Sequence, residues 1–158
     1  MRWGITGHRG LPAPVERLIR GELATQVQQH DGVDLIGVSC IADGPDAWFA
    51  EAVLEHGGRI EVVIPAEQYR DGLPENHHPT YDKLIAQAVE VHSTGMREST
   101  AQAHMTGSEI LVGLVDRLVV VRDGLPARGY GGTADVVAYA RDMGVPVDVV
   151  WPAGASRA

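Results

Sequence analysis

Apolar positions along the chain alternate between two periodicities. Short β-prone runs occur at Arg2–Thr6 (RWGIT), Val33–Cys40 (VDLIGVSC), Arg59–Pro65 (RIEVVIP), Val89–Ser93 (VEVHS), Arg117–Val121 (RLVVV) and Val145–Trp151 (VPVDVVW). Their branched and aromatic residues suit a pleated, buried surface. Between them, Pro14–Gln29, Asp46–His56, Pro79–Ala88, Ser99–Leu114 and Ala134–Met143 carry apolar residues three and four apart, as at Val15, Leu18, Ile19 and Leu23. That spacing places one apolar stripe on a helix. Strict alternation of strand and helix predicts right-handed crossovers and an α/β architecture: a doubly wound, mainly parallel sheet of about six strands with helices on both faces. Near-continuous runs such as LVVV fit strands buried on both sides. The long irregular segment is Ala66–His78, AEQYRDGLPENHH, which reads either as a lid or as a surface excursion.

The chain of 158 residues corresponds to one domain, expected over 1–152, with 153–158 as a flexible tail. Its 19 glycines exceed the average share, and glycine-rich loops account for them. A formal net charge of −8 argues against a sequence-blind grip on nucleic-acid backbone, which needs many lysines and arginines. Cys40, the one cysteine, stands among apolar neighbours in IGVSCIA and reads as an ordinary buried thiol. No apolar run is long enough for a membrane helix, and MRWGITGHRG lacks the apolar core of a signal peptide, so the expected location is the cytoplasm.

In a parallel sheet, ligands bind in the crevice outside the carboxyl ends of the strands, at the point where strand order reverses. Three loops of this chain follow a strand and open a helix there: TGHRG (Thr6–Gly10), ADGPD (Ala42–Asp46) and DGLPARGYGGTAD (Asp123–Asp135). Glycine lets a ligand approach the backbone, and helix N-terminal amides favour an anion, phosphate above all. The binding candidates are Gly7, His8 and Arg9 from the first loop, Asp43, Gly44 and Asp46 from the second, and Arg128, Gly131, Gly132 and Thr133 from the third. His8, Arg9 and Arg128 would make the edge locally electropositive within an acidic protein. Each loop also has a plainer reading, with Gly7, Gly44 and Gly131 serving tight turns, Asp46 or Thr133 capping a helix, and Pro45 occupying a first helical turn. None of the loops matches GxGxxG or GxxxxGK[ST].

These residues carry a family resemblance. TGHRG, IADGPDAWFAEA and DRLVVVRDGLPARGYGGTADVVAYAR are similar to the SLOG superfamily of Rossmann-like proteins over nearly the whole chain, from Arg2 to Trp151. The superfamily includes the Lonely Guy phosphoribohydrolases, proteins once labelled lysine decarboxylases, the molybdenum cofactor carrier proteins and nucleotide-sensing domains of bacterial conflict systems. GGTAD is the most specific part of the match. The resemblance implies a nucleotide or phosphorylated nucleoside derivative held by the three loops, with no cofactor beyond that ligand, and a homodimer or higher homo-oligomer as in many relatives.

The enzymatic branch fits less well. Lonely Guy enzymes carry Pro-Gly-Gly-x-Gly-Thr-x-x-Glu, and alignment on Gly132-Thr133 puts Arg128 at the proline, Tyr130 at a glycine and Val136 at the glutamate. The arginine those enzymes place four residues before a methionine falls on Ala101 when Met105 is matched. A gapped alignment offers Glu98 and Asp135 as catalytic carboxylates for cleavage or transfer at an N-glycosidic bond, with Arg97 beside them. Both acids also suit first-turn positions on their helices. A pyridoxal-dependent decarboxylase is unsupported, because the only lysine is Lys83 in YDKLIAQA.

Metal binding is not expected. The adjacent His77 and His78 lack an HExxH, CxxC or His-x3-His context, and His92 and His104 read as structural. Tyr130 is placed to stack on a base, whereas Tyr69 and Tyr81 pack or edge the surface. The expectation is therefore a nucleotide sensor or carrier. An N-glycosidase is the second reading, and a dimerisation module built on Glu98–Val115 the third.

Overall fold

The computed structural model describes residues 1–122 and 132–152. Six strands and five helices alternate: β1 (Arg2–Gly7), α1 (Ala13–Gln28), β2 (Ile36–Ser39), α2 (Pro45–Glu55), β3 (Arg59–Ile64), α3 (His78–Gln87), β4 (Glu90–Ser93), α4 (Ala101–Leu114), β5 (Arg117–Val121), α5 (Thr133–Asp142) and β6 (Val147–Val150). Every pairing is parallel, in the order β4-β3-β2-β1-β5-β6. The chain winds outward from β1 to β4, crosses back through α4 and continues to β5 and β6. Strand order reverses between β1 and β5 as a result.

Helices α1 to α3 cover one face of this sheet, and α4 with α5 the other. Phe49, Val53, Ile19 and Leu23 pack under the first layer, and Leu111, Val112, Val136 and Ala140 under the second. On the α4 side β1 offers Gly4, where a Cβ would lie 2.7 Å from Leu111 Cδ2. The helix therefore seats directly on the strand.

Element ends depart from the periodicity where a side chain intervenes. The β2 run starts at Ile36 rather than Val33, because Asp31 accepts a hydrogen bond from the Val33 amide and folds Gly32–Asp34 into a 3-10 turn. Helix α4 starts at Ala101 because the Thr100 side chain accepts from the Ala103 amide.

The 66–78 segment is packed rather than loose. It forms two 3-10 turns, Arg70–Gly72 and Glu75–His77, and buries Ala66, Tyr69, Leu73 and His77. The amides of Glu67 and Gln68 donate to the carbonyls of Met96 and Arg97, which join this segment to the chain after β4. His77 Nε2 lies 2.9 Å from the Ile41 carbonyl and His78 Nε2 2.7 Å from that of Arg70, so both histidines serve the backbone.

Glu61, on β3, is the buried acid of the sheet. Its carboxylate meets Arg2 Nε at 3.0 Å and His92 Nε2 at 3.0 Å. Burial pushes this carboxyl up, but the hydrogen bonds from His92 and Arg2 outweigh it and hold the group below its ordinary value.

At the reversal point Gly7 fits a space with no room for a side chain: a Cβ there would lie 2.8 Å from Val121 Cβ, 3.1 Å from the Val121 carbonyl oxygen and 3.2 Å from Pro45 Cβ. Gly7→Ala therefore forces β5 and the start of α2 apart. The expected cost is about 1–3 kcal/mol, read as a Tm lower by ~2–4 °C per kcal/mol for a chain of this size.

Candidate functional site

The loops after β1 and β2 meet at the reversal point. The Arg9 guanidinium donates to Asp43 Oδ1 from Nε at 2.9 Å and from Nη2 at 2.6 Å, tying the first loop to the second. The pair is partly exposed, so it braces geometry more than it stabilises the fold. It also alters the expected electrostatics, since the first-loop arginine already has an anionic partner. His8 donates its amide to the Val121 carbonyl, and its ring meets Trp151 edge-on at 6.2 Å.

The turn after β2 is tightly specified. Ile41 is a branched residue in the left-handed region, with φ 48°, a conformation that persists only where its surroundings impose it. Ser39 Oγ accepts from the Ile41 amide and donates to the Asp46 carbonyl, while His77 holds the Ile41 carbonyl. Gly44 follows at φ 97°, caps α2 without a side chain, and leaves Pro45 at the first helical position. Asp46 thus stands inside the first turn of α2 rather than at its cap.

Beneath these loops, on the α4 side of the sheet, lies a cavity of about 100 Å³. Its polar wall consists of Thr6, Arg9, Asp46, Tyr69, His104 and Ser108, and Cys40, Pro65, Leu111 and Val136 contribute to the apolar part. Four elements and three loops contribute to this one space. Arg9 and Asp46 belong to the sequence-based set. Thr6 belongs to the quoted first loop, and Tyr69, His104 and Ser108 were not singled out as site residues. His104, Ser108 and Leu111 recur at spacings of four and three along α4, which would have placed them on one helix face. Tyr69 follows β3 as the other loops follow β1 and β2.

Burial and neighbours set the charge of this wall. Desolvation pushes the Asp46 carboxyl up to about 7 and outweighs the Ala42 amide and Arg9, which pull it down; Asp43 adds a smaller upward push. Burial, then Arg9, holds the His104 imidazole below its ordinary value. Its Nε2 lies 2.7 Å from Ser99 Oγ, and Tyr69 packs edge-on against its ring at 5.6 Å. Burial also raises the Tyr69 phenol well above its usual range and pushes the Cys40 thiol up strongly, so near neutral pH neither is an anion. Apart from Arg9 and Asp46, the polar wall carries no charged group near neutral pH.

The remaining candidates are distributed around it. Gly132 caps α5 and Thr133 begins it, buried at the helix start. Val136, one turn further, reaches the cavity wall. Asp135 lies partly buried in the first turn of α5, and Glu98 is exposed before α4; neither lines this cavity. Arg128, Tyr130 and Gly131 lie outside the described residues.

No protein-family model matches the chain, and no curated protein matches it in sequence. Solved structures match by fold. DNA processing protein A of Helicobacter pylori, known for its single-stranded DNA binding mode, is 15% identical over 99% of this chain and 68% of its own, with a TM-score of 0.70. DNA processing protein A of Streptococcus pneumoniae is 19% identical over 97% of this chain, at a TM-score of 0.68, and this chain spans 51% of its length. The molybdenum cofactor carrier protein of Chlamydomonas reinhardtii is 20% identical over 94% of this chain and 74% of its own, with a TM-score of 0.58. The chain shares their Rossmann-like fold. Among the described residues no helix is long and apolar enough to cross a membrane.

The Asp46 carboxyl gives a pH signature. Its value in the folded chain lies above the ordinary one, so the folded state binds the proton more tightly than the unfolded state does. Its contribution is present at acid pH and is lost as pH rises through about 7. Asp46→Asn should therefore gain stability relative to the wild type between about pH 4 and 7 and stay level above. Linkage sets an upper bound of about 4 kcal/mol, reduced by water reaching the partly buried carboxyl. Urea unfolding at a series of pH values measures the difference, and a pH-independent difference would remove Asp46 as the titrating group.

Proposed function

We propose that the chain binds a nucleotide or phosphorylated nucleoside derivative at the reversal point and acts as a sensor or carrier. The observation that carries this reading is the convergence of the loops after β1, β2 and β3, with α4 and the start of α5, on one small polar cavity. Its volume of about 100 Å³ is below the ~300–1,000 Å³ of whole-ligand pockets, so it takes one moiety of the ligand. A wall of phenol, imidazole, thiol and hydroxyls around a carboxyl at about 7 suits a neutral hydrogen-bonding ring or a sugar. A phosphate would suffer repulsion from ionised Asp46. It belongs instead at the amide-rich starts of α2 and α5, whose caps Gly44 and Gly132 make no side-chain hydrogen bond to the first-turn amides.

The ligands named for the structural neighbours, single-stranded DNA and the molybdenum cofactor, agree with a general ligand-binding role at this fold. They also make single-stranded nucleic acid an arm of the test. The net charge of −8 and the pairing of Arg9 with Asp43 favour a mononucleotide-sized ligand over an extended backbone. One observation favours turnover as the second reading: a cavity carboxyl at about 7 can both give and accept a proton at neutral pH, as cleavage of an N-glycosidic bond requires.

Native mass spectrometry of the protein isolated from its producing cells, followed by calorimetry with a nucleotide panel and a short single-stranded oligonucleotide at physiological salt, tests the reading. A mononucleotide should bind and remain intact. Gly132→Asp, which sets a carboxylate at the start of α5, should weaken binding at least tenfold with an unchanged circular dichroism spectrum. Tighter binding of the oligonucleotide would overturn the mononucleotide reading. Release of free base, abolished by Asp46→Asn or by changing Glu98 or Asp135 to the amide, would make the protein an N-glycosidase.

A further inference from the structure

Away from the cavity, three chemistry-bearing side chains meet on the α4 face of the sheet at its β4 edge. Glu61 of β3 stands opposite Glu90 of β4, and Val63 stands opposite His92. Glu90 and His92, two residues apart on a strand, project from the same face as Glu61. His92 Nε2 lies 3.0 Å from Glu61 Oε1 and 3.5 Å from Glu90 Oε2, and one donor atom from each residue falls within 4.8 Å of the others. Ligand atoms held about 2.0–2.2 Å from a tetrahedral zinc ion sit about 3.3–3.6 Å apart, close to the 3.0 and 3.5 Å that separate His92 Nε2 from the two carboxylates.

The geometry points to a divalent transition-metal site, of zinc type, formed by Glu61, Glu90 and His92. Two carboxylates and a neutral imidazole balance a 2+ charge and are the donor types zinc takes. Glu61 is buried, with 2% exposure, and its second oxygen, Oε2, is fixed by Arg2 Nε at 3.0 Å, an outer-shell hydrogen bond that orients the carboxylate. Glu90 is 61% exposed, which leaves a path for the ion and room for water as fourth ligand. His92 would coordinate through Nε2 with its proton on Nδ1, so any proton on Nε2 leaves as the ion arrives.

The location gives such an ion a role distinct from the nucleotide site. Among the described residues strand β4 is a sheet edge, hydrogen-bonded to β3 and to no other strand, and its outer residues are exposed. A metal shared by Glu61, Glu90 and His92 joins this edge to the sheet through side chains as well as backbone. The chain after β4 runs through Thr94–Thr100 to α4, which bears His104 and Ser108 of the cavity. The sequence conceals the site because its donors form a Glu-x-His pair on one strand and a single Glu on another, 29 residues before Glu90.

The test is calorimetric titration of the metal-stripped protein with Zn²⁺, with Co²⁺ absorption as a readout of geometry. One ion per chain and an intense, tetrahedral Co²⁺ spectrum are expected. His92→Gln and Glu90→Gln should each weaken Zn²⁺ at least tenfold and weaken the visible Co²⁺ bands. Zinc should raise the Tm of the wild type relative to EDTA by mass action, with a smaller shift in Glu90→Gln, whose exposed side chain leaves folding intact even where His92→Gln does not fold. Absence of saturable binding, or binding of wild-type strength in Glu90→Gln, overturns the site in favour of a metal-free cluster in which His92 bridges the two glutamates.

Discussion

The reversal of strand order between β1 and β5 is the constraint on which the rest of the molecule depends. Parallel strands carry their exit loops to one edge, and each loop that opens a right-handed crossover sends its helix to one face. Because β2 to β4 extend one way from β1 and β5 and β6 the other, the helices diverge at that point and open a crevice between them. Gly7 shows how closely the two halves approach: β1, β5 and the start of α2 meet within the space a methyl group would occupy. The cavity is the volume left where the α4 layer rises past that junction.

Around the crevice, conformation is held by side chains recruited from distant segments. His77, more than thirty residues away, fixes the carbonyl of Ile41 in an unfavourable backbone conformation, and Ser39 satisfies both sides of the turn. Arg9 and Asp43 link the first two loops. The 66–78 segment, packed through Tyr69 and hydrogen-bonded to residues 96 and 97, supplies the far wall. Strain at Ile41 and the raised carboxyl of Asp46 are thus neighbouring consequences of one compact turn, the kind of local cost that tertiary contacts elsewhere must offset.

The periodicity of the chain made the sheet legible because every strand run is flanked by a helix with an apolar stripe, and among the described residues no disulfide or membrane-length helix competes with that pattern. The loops after β1 and β2 were legible for a similar reason, since glycine and proline at Gly44-Pro45 punctuate the chain where the strand ends. What could not be read was partnership. Nothing in the order of residues says that Arg9 faces Asp43 rather than solvent, or that Tyr69 and His104 meet edge-on in one wall. Asp46 illustrates the difference: its place after a strand was visible, but its raised carboxyl depends on burial that only the packed fold creates.

That burial bears on selectivity. If the proposed ligand is anionic, its phosphate meets Arg9 already satisfied by Asp43, and gains from that arginine only by displacing a carboxylate at 2.6 Å. Direct attraction is correspondingly weak, and the overall charge opposes it. The discriminating contacts then fall to the cavity, where Asp46, its carboxyl raised to about 7, can donate to or accept from a neutral ring, and where an unmatched donor or acceptor stays desolvated. A site so arranged distinguishes ligands by the hydrogen-bonding edge of the moiety it encloses more than by their charge. Recognition of one small molecule requires that, and the grip on a uniform polyanion does not.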